Sequence, residues 1–403
     1  GKGRLRDTNF TGFVVTDGGS CGNPNCRATV ALRNASAAAE WSDYGHELAA
    51  KLCITAGTDI ELGTTLTSNT DGALKQNMLP ARDISRANTR LYTQMVQQGH
   101  LELGPNDKLG MEEVDTPRSR QIAFEAAADA MVLLKNEPVS LHGLVSAPLL
   151  PLPSDKGLKI ALVGPHLHTT KDLQSGSGYA GESKLVMQNT IFQAFERRAA
   201  AGGPGGGIEI VGVAPGCDIT WGCADANLTA VAAAVADADV VLAFVGLHPC
   251  SGAAPEYGTA CAESEAWDRY GIDLCGQQPA ILEAALAGGK PLVTVMINGG
   301  TIAARWIKAK STAVLEGWYP GQAGGEAVVA VLLGDRNPTG RLPVTVYDES
   351  LAQSRKITDM SLRSNNGLTY MHYRGTALWP FGYGMSYTNW SVALDTAGTG
   401  LLT

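Results

Sequence analysis

Two groups of carboxylates in this chain lie where chemistry could be done. Asp17 closes "GFVVTDGGS", residues 12–20, an apolar strand that ends on an acid and passes into Gly18–Gly19. Asp before paired glycines is ordinary strand-ending turn chemistry. A carboxylate at the C-terminal end of a strand is also where barrel enzymes keep their catalysts. The second group is Glu263, Glu265 and Asp268 of "CAESEAWDR", in the loop after a strand ending at Leu247. Such a loop is by default a solvated connection, yet open α/β sheets place their ligand sites at that strand edge. Separate acids at strand ends in different domains are the raw material for general-acid and nucleophile chemistry on a glycosidic bond.

The elements that must position these acids alternate along the chain. "FTGFVVTD" reads as a strand, and "SDYGHELAAKLCITAGTDIEL" as a helix running into a strand at 58–62. "ARDISRANTRLYTQMVQQGHL" has helical apolar spacing, with Asp83 or Ser85 near its start and Gly99 past its end. A polar segment at 106–117 reads as a linker. After it, "SRQIAFEAAADAMVLLKNE" is a helix entering a strand, and "LKIALVGP", "IEIVGVAPG", "VVLAFVGL", "PLVTVMING" and "STAVLEGWYP" are strands separated by helices. Short apolar strands alternating with helices predict an α/β fold whose parallel sheet is covered on both faces.

Composition narrows the function classes. The 403 residues are 44% hydrophobic and 17% charged, which suits a folded chain with room for two or three domains. A net charge of -8 is the wrong sign for a nucleic-acid binder. No apolar run is long enough to span a membrane. The eight cysteines include Cys21/Cys26, Cys217/Cys223 and Cys250/Cys261, each pair closing a short loop, and these are expected to be disulfides of a secreted protein. Cys53 and Cys275 are left over, paired with each other or buried as thiols. A metal site would need clustered Cys/His ligands that these pairs do not supply, so neither metal nor cofactor is expected. Sequons at Asn9, Asn34, Asn227 and Asn389 agree with export. The chain opens at Gly1 without initiator Met or signal peptide, which reads as a processed product or a fragment.

One decoy belongs to another class. "GSGYAG", residues 176–181, matches G-x-G-x-x-G with Glu196 about 20 residues on, as in a dinucleotide-dependent oxidoreductase. That fingerprint must sit on the turn directly after a strand, and polar residues separate it from the strand ending at Val163.

Nine stretches in order, among them "GFVVTD", "AGTDIELG", "AADAMVLLKNE", "ESEAWDR", "VMINGG", "GWYPGQAGGEAVVAVLLGDRNPTGRLPVTVY" and "WPFGYGMSYT", give the chain its resemblance to glycoside hydrolase family 3, in its β-xylosidase/α-L-arabinofuranosidase branch. The resemblance implies the C-terminal remnant of a (β/α)8 barrel at 1–105, an α/β sandwich domain at 118–385 and the start of a fibronectin type III-like domain at 386–403. It implies a secreted retaining exo-β-glycosidase acting on terminal β-D-xylosyl or arabinosyl residues of plant-wall glycans such as xylan. Asp17 would be the nucleophile and Glu263 the acid/base. Glu265 is the fallback, because the cysteine-bracketed insertion 248–261 admits a register two residues along. The two carboxyls would face one cleft at about 5–5.5 Å, as retention requires. In the family the nucleophile is followed by Cys-Asp or Trp-Gly, where this chain has Gly18–Gly19. About six barrel strands, with the side chains that hold the sugar hydroxyls, have no counterpart here. The chain alone is therefore expected to have negligible β-xylosidase turnover, and its alternatives are an inactive remnant or a β-glucosidase of the same family.

Overall fold

The computed structural model describes residues 10–22, 35–102, 104–141, 146–153, 157–170, 173, 189–202, 207–249, 261–263, 269, 271–356, 358–389 and 391. The chain divides into two compact units, Gly1–Met111 and Glu112–Thr403.

In the first unit, β1 (Val15–Thr16) lies parallel to β2 (Ile60–Glu61), with Val15 opposite Ile60 and Thr16 opposite Glu61. Asp59 secures this pairing. One of its carboxylate oxygens accepts from Val14 N–H at 2.9 Å and the other from Arg90 at 3.2 Å. Arg90 belongs to α3 (Ala81–Gln97), which with α1 (Ala35–Ala56) and α2 (Thr65–Lys75) makes up the helices of this unit. Ile54, Ala73 and Leu79 are buried together at their junction.

The second unit starts at a well-made cap. Thr116 Oγ1 accepts from Ser119 N–H at 3.0 Å and Pro117 takes the first turn of α4 (Pro117–Ala130), a position where the missing N–H costs nothing. Its main strands are β3 (Val132–Asn136), β6 (Leu158–Val163), β7 (Ile208–Ala214), β8 (Val240–Gly246), β11 (Leu292–Ile297) and β12 (Ala313–Glu316). A small antiparallel pair, β4 (Pro138–Val139) and β5 (Ala147–Pro148), follows β3. The sheet order is β3-β12-β11-β8-β6-β7, parallel except for β3, which runs antiparallel to β12. Helices α5 (Ile191–Ala201), α6 (Leu228–Val235), α7 (Gln278–Leu286), α8 (Arg305–Lys310) and α9 (Gly324–Leu332) connect or cover these strands.

The continuous apolar strands are explained by two cores, one on each face. All seven residues of β8 are buried. Leu242 and Phe244 pack with Phe195 of α5 and Val328 of α9, while Val241, Ala243 and Val245 pack with Val231 of α6 and Ile281 of α7. Successive side chains of a strand point to opposite faces, so a sheet covered by helices on both sides needs no polar alternation. The α/β fold read from the sequence, with a parallel sheet covered on both faces, is observed except at β3, which runs antiparallel to β12. Beyond the sheet, short helices α10 (Glu349–Ser354) and α11 (Thr369–His372) lie in the C-terminal loops. Residues 392–403 lie outside the described residues.

Candidate active site

Three central strands end together beneath Glu263. This residue lies in β10 (Ala262–Glu263), which pairs in parallel with β9 (His248–Pro249) just after β8. The turn after β11 presents two backbone donors to it: Gly299 N–H reaches Oε2 at 2.8 Å and Gly300 N–H reaches Oε1 at 2.7 Å. From the segment after β12, Tyr319 Oη donates to Oε2 at 2.6 Å. Arg269 Nη2 stands 3.7 Å from Oε1, and the two side chains are only 13% and 16% exposed. Bonds to an ionised acceptor are the short and strong ones. Three hydrogen-bond donors from two segments, with the Arg269 guanidinium beside them, thus fix a carboxylate at the C-terminal edge of the sheet, where ligands of open α/β folds bind.

A second carboxyl lies underneath. Glu316 ends β12 buried, and its Oε1 accepts from Trp318 N–H at 3.2 Å. Burial pushes its pKa from 4.5 up to about 8, with the negative charge of Glu263 adding to the rise and bonds from Trp318 and Asn298 opposing it. Glu316 is therefore neutral at pH 7. Asn298 links the two acids: its Nδ2 donates to Gly300 O at 3.0 Å, bracing the turn whose N–H groups hold Glu263. Asn298 Oδ1 is buried and has no donor among the described residues. Trp318, between Glu316 and Tyr319, has φ 53°. A bulky residue in the left-handed region marks backbone strain, which collects at functional sites.

The loop bearing Glu263 is tied at both ends. Cys261, two residues before it, is bridged to Cys275 with Cα atoms 5.2 Å apart. Gln278, fully buried at the start of α7, accepts from Gly246 N–H at 2.8 Å and donates to Gly246 O at 2.9 Å, and its amide also reaches Cys275 Sγ at 3.1 Å. One side chain thereby joins the end of β8 to the bridge that closes the loop. Gly246 is required here, because a Cβ would lie 1.8 Å from Ile297 O.

In the first unit, Asp17 follows directly on β1 and is exposed. Its Oδ1 accepts from Gly18 N–H at 2.7 Å. The glycines after it permit a close turn: a Cβ on Gly18 would lie 2.9 Å from Leu62 O, and Gly19 has φ 67°. A groove of about 620 Å³ opens from Gly18 and Gly19 toward His46, Thr65 and Asn69. Glu61, at the end of the neighbouring strand, accepts from Leu66 N–H at 2.8 Å through Oε2, whereas its buried Oε1 has no partner among the described residues.

The cysteine pairing read from loop length needs correction at two of three places. Cys217–Cys223 is present, with Cα atoms 5.1 Å apart. Cys21 is bridged to Cys53, not to Cys26, and Cys261 to Cys275, not to Cys250. The leftover Cys53 and Cys275 are therefore neither paired with each other nor free. The reason is tertiary: α1 carries Cys53 to within 6.0 Å (Cα–Cα) of the turn after Asp17, which proximity in sequence does not reveal. Cys26, Cys250, Glu265, Asp268, Asn9, Asn34 and the "GSGYAG" stretch lie outside the described residues. Asn227 and Asn389 are exposed, and Asn227 Oδ1 caps α6 by accepting from Ala230 N–H at 3.0 Å. Sequence reasoning missed Glu316, Tyr319, Asn298 and Gln278. The strand-end positions of "VMINGG" and "VLEGWYP" could have suggested the first three. Among the described residues no group of His, Cys, Asp and Glu could hold a metal ion, and no helix is long and apolar enough to cross a membrane.

Comparison with known proteins adds to this geometry. Residues 131–387 match the glycosyl hydrolase family 3 C-terminal domain. The chain is 33% identical over 354 residues to a probable exo-1,4-β-xylosidase, bxlB, of Aspergillus terreus, covering 86% of this chain and 41% of that protein. It is 32% identical over 356 residues to β-D-xylosidase 1 of Arabidopsis thaliana, covering 86% and 42%. Among solved structures, a family 3 exo-β-xylosidase (XlnD) in complex with a xylobiose aziridine activity-based probe superposes with a TM-score of 0.74 at 28% identity, over 96% of this chain and 46% of that one. The chain thus spans less than half the length of these relatives.

Proposed function

The chain belongs to glycosyl hydrolase family 3, and from that premise we propose that it carries both carboxylates of a retaining exo-β-glycosidase. The substrate in this reading is a terminal β-D-xylosyl, or arabinosyl, residue of a plant-wall glycan such as xylan. The observation that carries the proposal is Glu263, a carboxylate built into the ends of three strands in a chain whose relatives are xylosidases. Asp17 ends the seventh strand of a (β/α)8 barrel in this reading and attacks the anomeric carbon, forming a glycosyl ester while the leaving oxygen departs. Glu263 gives that oxygen a proton and then takes one from the water that opens the ester. Glu265 takes this role if the register lies two residues along. Three disulfides among the described residues support export.

The contacts around Glu263 suggest how its proton is handled. Gly299 and Gly300 can only donate, whereas the Tyr319 hydroxyl can donate or accept. A protonated Oε2 can therefore turn its O–H toward Tyr319 Oη, provided the tyrosine turns its own hydrogen to another acceptor. Displacement of Tyr319 by the leaving oxygen would pass that proton to the substrate. Asn298 holds the turn of Gly299 and Gly300 through Gly300 O during the exchange.

Hydrolysis of an aryl β-D-xyloside tests the reading. It would be measured for the chain alone and for the chain joined behind the N-terminal remainder of the Aspergillus terreus relative. Background turnover alone and robust turnover when joined, lost in Asp17→Ala, is the expected result. A joined protein that folds but does not hydrolyse the xyloside would contradict the proposal.

A further inference from the structure

A second charged surface lies in the C-terminal loops of the larger unit. A groove of about 380 Å³ is lined by Arg363, Met371, His372, Tyr373 and Arg374. Arg363 and Arg374 are exposed, and among the described residues neither guanidinium has a hydrogen-bond or carboxylate partner. None of these lining residues is acidic, although the whole chain carries a charge of -8. Such a concentration of unpaired cation on an acidic protein favours an anion.

The groove is held in shape from behind. Arg355 donates to the carbonyls of Asp359, Ser361 and Ser364. Gly367 and Leu368 return bonds to Ser364 and Leu362, and Arg374 N–H to Asn366 O at 2.8 Å. Thr369 stands at φ 62°, with its N–H bound to Tyr347 Oη at 2.5 Å. A β-branched residue in the left-handed region is a true outlier, of the kind found at ligand clamps. Beside Met371 in sequence, Tyr370 is 66% exposed and stacks on Phe381, itself 46% exposed, with ring centroids 4.5 Å apart. Large aromatic rings left in water are unusual and mark contact surfaces.

We propose that this groove binds a carboxylate-bearing sugar, specifically a glucuronosyl branch on the xylan-type chain whose terminal residue the active site takes. The planar forks of Arg363 and Arg374 match a carboxylate, as a lysine ammonium would not. Met371 and Tyr373, which line the groove, supply an apolar face for the C–H side of a pyranose ring. The proposal rests on the glycan reading above but does not depend on catalysis, since it concerns binding alone.

Titration calorimetry of the whole chain tests it with three probes: xylotetraose carrying one glucuronosyl branch, plain xylotetraose and a galacturonic acid trimer. The branched probe should bind about tenfold tighter than the neutral one at low salt, as expected for two exposed guanidinium contacts. The preference should disappear at about 0.5 M NaCl, where screening is short-ranged, and in the R363Q/R374Q double variant. These side chains are exposed, so that variant should keep its native circular dichroism. Equal affinities for the branched and neutral probes, or a preference that survives R363Q/R374Q, would overturn the proposal. Tighter binding of the galacturonic acid trimer would overturn the assignment to a xylan branch. A charge preference without xyloside hydrolysis in the joined protein would fault the catalytic reading alone, and hydrolysis without charge preference would fault this one alone.

Discussion

Replacing Glu316 by Gln should flatten the pH dependence of stability. Glu316 has a folded pKa of about 8 against an ordinary 4.5, because burial disfavours its charge. Between these values the folded protein keeps a proton that the unfolded chain has released. Stability contributed by the group is therefore fully present below pH 4.5 and is lost as pH rises toward about 8. At about 1.4 kcal/mol per pH unit the window amounts to roughly 5 kcal/mol. Local opening that lets water reach the carboxylate makes this an upper figure. Gln is neutral at every pH and can still accept from Trp318 N–H. Urea unfolding of wild type and variant across this range is the assay. The wild type should lose several kcal/mol relative to Glu316→Gln, the two being closest near pH 4.5 and the variant the more stable near pH 8. Parallel stability curves would refute the reasoning, since they would mean that Glu316 titrates alike in both states.

Other changes probe the same site through different bonds. Cys261→Ser with Cys275→Ser should cost about 3 kcal/mol, from the loop entropy of a 14-residue separation, and should remove xyloside turnover in the joined protein; opening Cys217–Cys223 should cost about 2 kcal/mol and spare it. Chemical denaturation and the aryl-xyloside assay on both variants check this. Tyr319→Phe removes the hydroxyl bonded to Glu263 and should lower kcat about tenfold or more with KM nearly unchanged. A rise confined to KM, with kcat unchanged, would assign Tyr319 to substrate binding instead. Gly246→Ala places a methyl 1.8 Å from Ile297 O and should destabilise the larger unit by more than about 3 kcal/mol, read as a shifted urea midpoint.

Strand and helix alternation in the larger unit was legible because burial on both faces leaves an unbroken apolar run, as in "VVLAFVG" of β8. The position of Asp17 after a strand was legible for a related reason, since an acid stands out where such a run stops; Glu263, beyond the 248–261 insertion, was singled out by the resemblance of "ESEAWDR". The partners of those acids were not. Glu263 is held by Gly299, Gly300 and Tyr319, between 36 and 56 residues away. Only the sheet order, with β11 between β8 and β12, brings them together. Glu316 ends "STAVLE" with no sequence pattern that singles it out, and its burial in the fold is what raises its pKa. The cysteine pairs failed for the same reason: short spacing favoured Cys21 with Cys26, while the fold set a helix against the turn and chose Cys53.

The central claim, that Asp17 is the nucleophile of a retaining glycosidase, is tested most directly by trapping its ester. The joined protein would be treated with an activated 2-deoxy-2-fluoro-xyloside, digested, and its peptides mapped by mass spectrometry. One fluoroxylosyl adduct is expected, on the peptide containing Asp17, with none in Asp17→Asn. An adduct on another carboxylate such as Glu61, or turnover of the same substrate by Asp17→Asn, would contradict it.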